Sequence, residues 1–192
     1  LDQEDLIRLV YKANPKTITV LISSFPYAIN WTQEHVPSIL HVTQSCQELG
    51  HAVADVLFGQ YNPAGRTTQT WVSSIDQLPD MMDYNIRHGR TYMYFKGKPL
   101  YTFGHGLSYT SFDYTNISTD KDILHQGDKI DVNITVRNSG NMDGEEVVQV
   151  YAKLPGDDAI KRLRGFCRTN ITKGDSKTVK IMLDSKDLAL WN

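Results

Sequence analysis

Residues Lys129 to Arg137 read KIDVNITVR, and the alternation is strict. Ile130, Val132, Ile134 and Val136 fall on one face, and Lys129, Asp131, Asn133, Thr135 and Arg137 on the other. A period of two sets one side of an extended strand against a core and the other in water; a helix, with its period of 3.6, cannot gather those residues on one face. The stretch therefore predicts a half-buried antiparallel strand. GEEVVQVYAKL (144–154), RLRGFCRTNIT (162–172) and SKTVKIML (176–183) read as further strands, punctuated by turn signals at Gly140, Pro155-Gly156 and Gly174.

Regularly spaced short strands with polar turns predict a β-sandwich of the immunoglobulin or fibronectin type III kind over residues 110–192. Strands corresponding to A, B, C, C′ and E can be placed before Trp191-Asn192, whereas such a sandwich needs about two more. The expectation is an incomplete sandwich in which inner-face residues such as Ile130 and Val132 are poorly covered.

The first 80 residues follow another rule. Leu6, Ile7, Leu9, Val10 and Ala13 recur at helical spacing from Gln3 to Ala13, and Asn14-Pro15 ends the helix. TITVLI (17–22), an apolar β-branched run straight after a helix, reads as a buried parallel strand of an α/β sheet. SILHV (38–42) is a second strand. CQELGHAVADVLFG (46–59) places Leu49, Ala52, Val53, Val56 and Leu57 on one helical face, and Gly59 ends it. YNPAGR (61–66) is a turn, and TTQTW (67–71) reads as an edge strand. The fold class is α/β plus all-β, with an α/β piece at 1–80, a connector at 81–109 and the sandwich at 110–192.

PLYTFGHGLSYTSFDY (99–114) lies where the two halves meet. It has no helical period, and Gly104 and Gly106 would weaken a strand, so it reads as a turned connector whose rings glue the flanking units together. Tyr92, Tyr94, Phe95, Tyr101, Phe103 and Tyr109 are the expected contact residues. A platform for stacking a ligand is the competing reading.

A formal net charge of −2 and a sequence pI near 6.3 leave no electrostatic footprint for nucleic acid or an anionic membrane. No run of about 18 apolar residues is present to span a bilayer. The opening LDQEDLIRLVYKANP carries neither an initiating Met nor a signal peptide, and it reads as the interior of a longer protein. Cys46 and Cys167 fall in different units and read as free thiols rather than a disulfide. Sequons stand at Asn30, Asn116, Asn133 and Asn170, a pattern that Thr-rich strands also produce by accident.

The chemistry legible in the residues is sparse. His35, His41, His51, His88, His105 and His125 form no zinc-spaced motif, so neither a metal nor any other cofactor is expected. Gly104-His105-Gly106 is not a dinucleotide fingerprint, no G-x-S-x-G occurs, and Cys46 has no sign of activation. Carboxylates remain: Glu34, Glu48, Asp55, Asp76, Asp80 and Asp83. Glu48 reads as a charge complementing a helix dipole and Asp55 as a solvated or turn-bonded group, and no acid/base pair is dictated.

Four ordered blocks, QELGHAVADVLFGQYNPAGR, QLPDMMDYNIRHGRTYMYF, PLYTFGHGLSYTSFDY and VRNSGNMDGEEVVQVY, cover nearly the whole chain and resemble the C-terminal portion of glycoside hydrolase family 3. The resemblance implies enzymes that remove β-linked glucosyl or xylosyl units, built from a (β/α)8 barrel, an α/β sandwich domain and a fibronectin type III-like domain. This chain would hold the second half of the α/β sandwich, the connector and most of the last domain. The resemblance puts the nucleophilic Asp on the barrel and the acid/base Glu on a loop upstream of Leu1, so no catalytic residue is assigned here. The expected partners are a β-linked oligosaccharide or glycoside and the missing N-terminal barrel, and the family points to a secreted or periplasmic protein. Departures occur at Ser23-Ser24-Phe25, where the family often has a Gly-rich turn, at Ser45-Cys46 in place of Pro-Gly, and at His105 in place of a frequent tyrosine. They bear on the leaving-group side of the site and leave glucoside against xyloside open, although DYNIRHGRTYMYFKGKPLY leans towards bacterial enzymes that include xylosidases. Two other classes stay open: a non-catalytic carbohydrate-binding module, which would bind oligosaccharides saturably, and a structural accessory piece, which would neither bind nor hydrolyse.

Overall fold

The structure, a computed structural model, describes residues 2–45 and 47–190. Helix α1 (Gln3–Ala13) starts where the Asp2 carboxylate accepts from the Glu4 backbone N–H at 3.0 Å. It stops at Asn14, which adopts an extended conformation before Pro15. Strand β1 (Ile18–Ile22) follows, then α2 (Asn30–His35), β2 (Ser38–Val42) and α3 (Leu49–Leu57). β1 and β2 pair in parallel, Ile18 opposite Ser38 and Ile22 opposite Val42, as an α/β layer requires. α3 ends at Phe58, and Gly59 takes a left-handed φ of 73°.

Burial departs from expectation in this part. β1 was expected to be covered on both faces, yet Ile18 and Ile22 are each 50% exposed, and neither α1 nor α3 has a buried residue. The physical reason is that the described residues supply β1 with a single neighbouring strand, too few layers to shield a continuous apolar run. TTQTW is not a strand either: only Trp71 forms a bridge, antiparallel to Tyr101. Its neighbours spend their backbone groups on the connector, Thr67 N–H donating to the His105 carbonyl at 2.8 Å and Gly104 N–H to the Thr67 carbonyl at 2.7 Å. The sequence reading also missed α2 and a one-turn helix α4 (Thr91–Tyr94).

The second half is built on five strands, β3 (Phe112–Thr119), β4 (Lys129–Asn138), β5 (Gly144–Ala152), β6 (Arg162–Ile171) and β7 (Ser176–Asp184), with one 3-10 turn at Ser185–Leu188 after the last. One sheet has the order β3-β4-β7 and the other pairs β5 with β6, all antiparallel. The alternation in β4 is realised, with Val132, Ile134 and Val136 buried against Val148, Ile171, Val179, Ile181 and Leu183. Burying each such side chain contributes about 1.5–3 kcal/mol. Val132 was expected to be poorly covered but is only 6% exposed, because residues of both sheets close over it; Ile130 packs at the margin of the same cluster. Cys167 is half-buried there with a free thiol, and Cys46 lies outside the described residues. Among the described residues no helix is long and apolar enough to cross a membrane.

Candidate functional site

The aromatic connector is where the two units meet, and its glycines explain its sequence. A Cβ on Gly106 would stand 2.1 Å from the Gly65 carbonyl oxygen, and one on Gly104 2.2 Å from Gln149 Oε1. Gly106 thus permits close approach to the YNPAGR turn of the α/β part, and Gly104, at φ 79°, close approach to β5 of the sandwich. Gln149 Nε2 donates to the Gly104 carbonyl at 3.2 Å, and Gln149 Oε1 accepts from the Tyr151 hydroxyl at 2.6 Å.

The rings flank these contacts. Tyr92 stacks on Phe103 with centroids 4.2 Å apart and meets Tyr151 edge-on, while its hydroxyl accepts from the Leu163 N–H at 2.9 Å. On the other side Trp71, buried, packs edge-on against His41 and Tyr101, and Tyr101 stacks on His105. Tyr101 donates to Gln33 of α2, and Tyr109, though half exposed, donates to the Val56 carbonyl at 2.8 Å. Tyr94 is buried, and its hydroxyl accepts from Arg162, which also forms a two-pronged pair with Asp157 at 2.6 and 2.9 Å. The Arg162 guanidinium holds the Asp157 carboxyl down to about 2. The rings spend their faces on one another and on the flanking elements, which leaves little free platform for a sugar.

YNPAGR supplies polar contacts that the sequence reading passed over as a turn. Arg66 donates to Glu146 at 2.6 Å in a pair only 12% and 11% exposed, and Tyr114 donates to the other Glu146 oxygen at 2.8 Å. Burial, reinforced by Glu146, drives the Tyr114 hydroxyl pKa well upward. Asn62 Nδ2 donates to the Asp143 carbonyl at 3.0 Å, and its Oδ1 accepts from Ser108 Oγ and the Tyr109 N–H, both at 2.8 Å. The signal that could have found this cluster was composition: a buried turn carrying Asn and Arg needs partners, and Glu145-Glu146 is the acidic pair in the following strand unit.

The carboxylates singled out from sequence do not converge. Glu48 occupies the N-cap position of α3 and binds the exposed His51 at 2.5 Å rather than a backbone N–H. Asp55 is exposed on α3, its carbonyl accepting from the N–H groups of Gln60 and Tyr61. Glu34, Asp76 and Asp80 are exposed, and Asp83 pairs with His88 at 2.6 Å, which lowers its pKa. Among the described residues no two of these six share a hydrogen bond, and every carboxyl whose pKa is displaced (Asp83, Glu145, Asp157 and Asp184) is displaced downward. A general acid needs the opposite shift. Burial and the nearby Arg66 charge lower the pKa of His105. No group of three His, Cys, Asp or Glu among the described residues has the arrangement of a metal site. Of the sequons, Asn30 already donates its amide to the Ser73 carbonyl at 2.6 Å.

Residues 1–109 match the profile of the glycosyl hydrolase family 3 C-terminal domain. The chain belongs to glycosyl hydrolase family 3. Residues 146–192 match a fibronectin type III-like domain, in keeping with the sandwich of β3–β7. This family 3 chain is 34% identical to thermostable beta-glucosidase B of Acetivibrio thermocellus, the match covering all of the chain and 27% of that protein. It is also 34% identical to a beta-xylosidase of Formosa agariphila, over 99% of the chain and 27% of that protein. Beta-glucosidase 3B of Thermotoga neapolitana, solved with glycerol, superposes with a TM-score of 0.86 at 32% identity, covering all of this chain and 30% of that one. The chain thus spans about a quarter of the length of these curated relatives.

Proposed function

We propose that this chain is the C-terminal part of a retaining β-glycosidase that releases β-linked glucose or xylose from oligosaccharides or glycosides. The observation that carries the reading is end-to-end similarity, at the same 34% identity, to a named beta-glucosidase and a named beta-xylosidase. Equal likeness to both favours neither sugar. The catalytic pair, an Asp nucleophile on a barrel and an acid/base Glu, would lie upstream of Leu1. Retention calls for two carboxyl groups about 5 Å apart on opposite sides of the anomeric carbon, one attacking it and the other protonating the leaving oxygen and then activating water. The failure of the six candidate carboxylates to converge supports an assignment of no catalytic residue to residues 1–192.

In that reading residues 1–80 supply part of an α/β sandwich whose remaining strands cover β1, residues 81–109 strap it to the next unit, and residues 110–192 form the fibronectin-like domain. The test is hydrolysis of nitrophenyl β-glucoside and β-xyloside. The full-length polypeptide should turn over at least one of them with retention, whereas residues 1–192 alone should release no nitrophenol, and deleting them from the full protein should abolish activity. Reproducible turnover by residues 1–192, lost on Glu48→Gln or Asp55→Asn, would overturn the assignment.

A further inference from the structure

The loop that runs from the 3-10 turn at Ile75–Gln77 to α4 is apolar where it is most exposed. Ile75, Leu78, Met81, Met82, Tyr84 and Ile86 all face solvent, Met81 at 86% and Tyr84 at 80% of full exposure. Its backbone is nonetheless fixed by its own polar groups. Met82 N–H donates to Asp80 Oδ1 at 2.8 Å, Asn85 N–H to Asp83 Oδ1 at 2.9 Å and Arg87 N–H to Asn85 Oδ1 at 3.1 Å. Arg90 reaches back to the carbonyls of Asp83 and Asp80, each at 2.6 Å. The loop thus holds its shape without burying any of its large apolar side chains, an arrangement that keeps them preorganised for contact with another surface. Methionines, flexible and polarisable, suit such a contact.

We propose that residues 75–88 are a docking tip that seats on the upstream, catalytic portion of the same polypeptide. The inference rests on the reading that the chain is part of a longer glycosidase. Two observations select this occupant over a second copy. Relatives matching the chain end to end are nearly four times its length. The base of the loop is also joined to the part of the fold that lacks cover: the Ser73 carbonyl accepts from Asn30 of α2, and α2 packs Trp31 edge-on against Tyr11 of α1, whose Leu6, Leu9 and Val10 are exposed. A neighbour that covers α1 is thereby linked, through α2, to the base of the loop.

The test is photo-crosslinking in the full-length polypeptide, with p-benzoylphenylalanine replacing Tyr84 or, in a second protein, Met81, and replacing Lys177 of β7 as the control. Irradiation and peptide mapping should give an adduct to residues upstream of Leu1 from position 84 or 81, at least ten times the yield from position 177. Adducts confined to residues 1–192, adducts between two copies, no adduct, or equal yield from position 177 each overturn the proposal. Nitrophenyl glycoside turnover on the same preparations separates the two readings. An inactive protein that crosslinks upstream refutes the activity alone, and an active one that does not refutes the docking alone.

Discussion

Replacing Gly106 with alanine should separate the connector from the α/β part. The new Cβ would sit 2.1 Å from the Gly65 carbonyl oxygen, where ordinary contact begins at 3.4 Å, and the obstacle is backbone rather than a side chain that can swing away. Gly106 has no left-handed φ, so the cost comes from the clash and not from strain. Parting the two backbones by roughly 1 Å stretches the paired hydrogen bonds from Gly104 to Thr67 and from Thr67 to His105 beyond useful length. Losing two at about 1 kcal/mol each, with about 1–3 kcal/mol of overpacking, gives a destabilisation of about 3–5 kcal/mol. Gly104→Ala adds left-handed strain of about 1–2 kcal/mol and displaces the movable Gln149 side chain, for about 2–3 kcal/mol in all. Gly127→Ala, at φ 90° in open space, isolates the strain alone at about 1–2 kcal/mol. Urea unfolding followed by tryptophan fluorescence reads the series, since the buried Trp71 bridges to Tyr101 beside the affected contact. A loss for Gly106→Ala no larger than for Gly127→Ala would refute close packing as the reason for the glycine.

Three more outcomes follow from the same contacts. Tyr92→Ala removes the Phe103 stack and the acceptor for Leu163 N–H, and should lower stability by about 3 kcal/mol, read as a shift in urea midpoint. Glu146→Ala leaves the largely buried Arg66 guanidinium without its carboxylate and the half-exposed Tyr114 hydroxyl without its acceptor, and should cost about 3 kcal/mol, whereas Glu145→Ala, whose partner Arg168 is half exposed, should cost under about 1 kcal/mol in the same assay. Asp157 is depressed from the ordinary 3.8 to about 2, so the folded state binds fewer protons than the unfolded one. Its contribution is complete above about pH 4 and is lost as pH falls towards 2, so the Tm gap between wild type and Asp157→Asn should shrink over that window.

The sequence told strands from helices where an unbroken apolar period ran the length of the element. β4 was legible because Val132, Ile134 and Val136 all meet the same cluster, and α1 because its apolar residues recur at helical spacing and Asn14-Pro15 stops it. TTQTW misled because Thr67 and Trp71 spend their backbone groups on single contacts with residues 100–105 rather than on a strand ladder. The cover over β1 was misjudged because an apolar run reports that burial is needed and not which residues provide it. The Arg66–Glu146 pair was harder to read for a related reason: its members are 80 positions apart, so composition hints that each needs a partner but no local pattern joins the two. The family, by contrast, was legible from the resemblance of four ordered blocks, two of which, 99–114 and 136–151, carry glycines whose Cβ would clash with a neighbour.

The short crossing between residues 67–71 and 101–105 makes everything between them a closed excursion of the chain, tied at its neck by Trp71 and Tyr101. Closing a longer excursion costs little, about 0.6 kcal/mol for each doubling in length, so insertions and deletions between residues 78 and 88, short of the α4 rings that bind the sandwich, leave both flanking units in place. Length there is nearly free for folding. It is not free for reach, because a few residues added or removed would carry Met81 and Tyr84 several ångströms from whatever they touch.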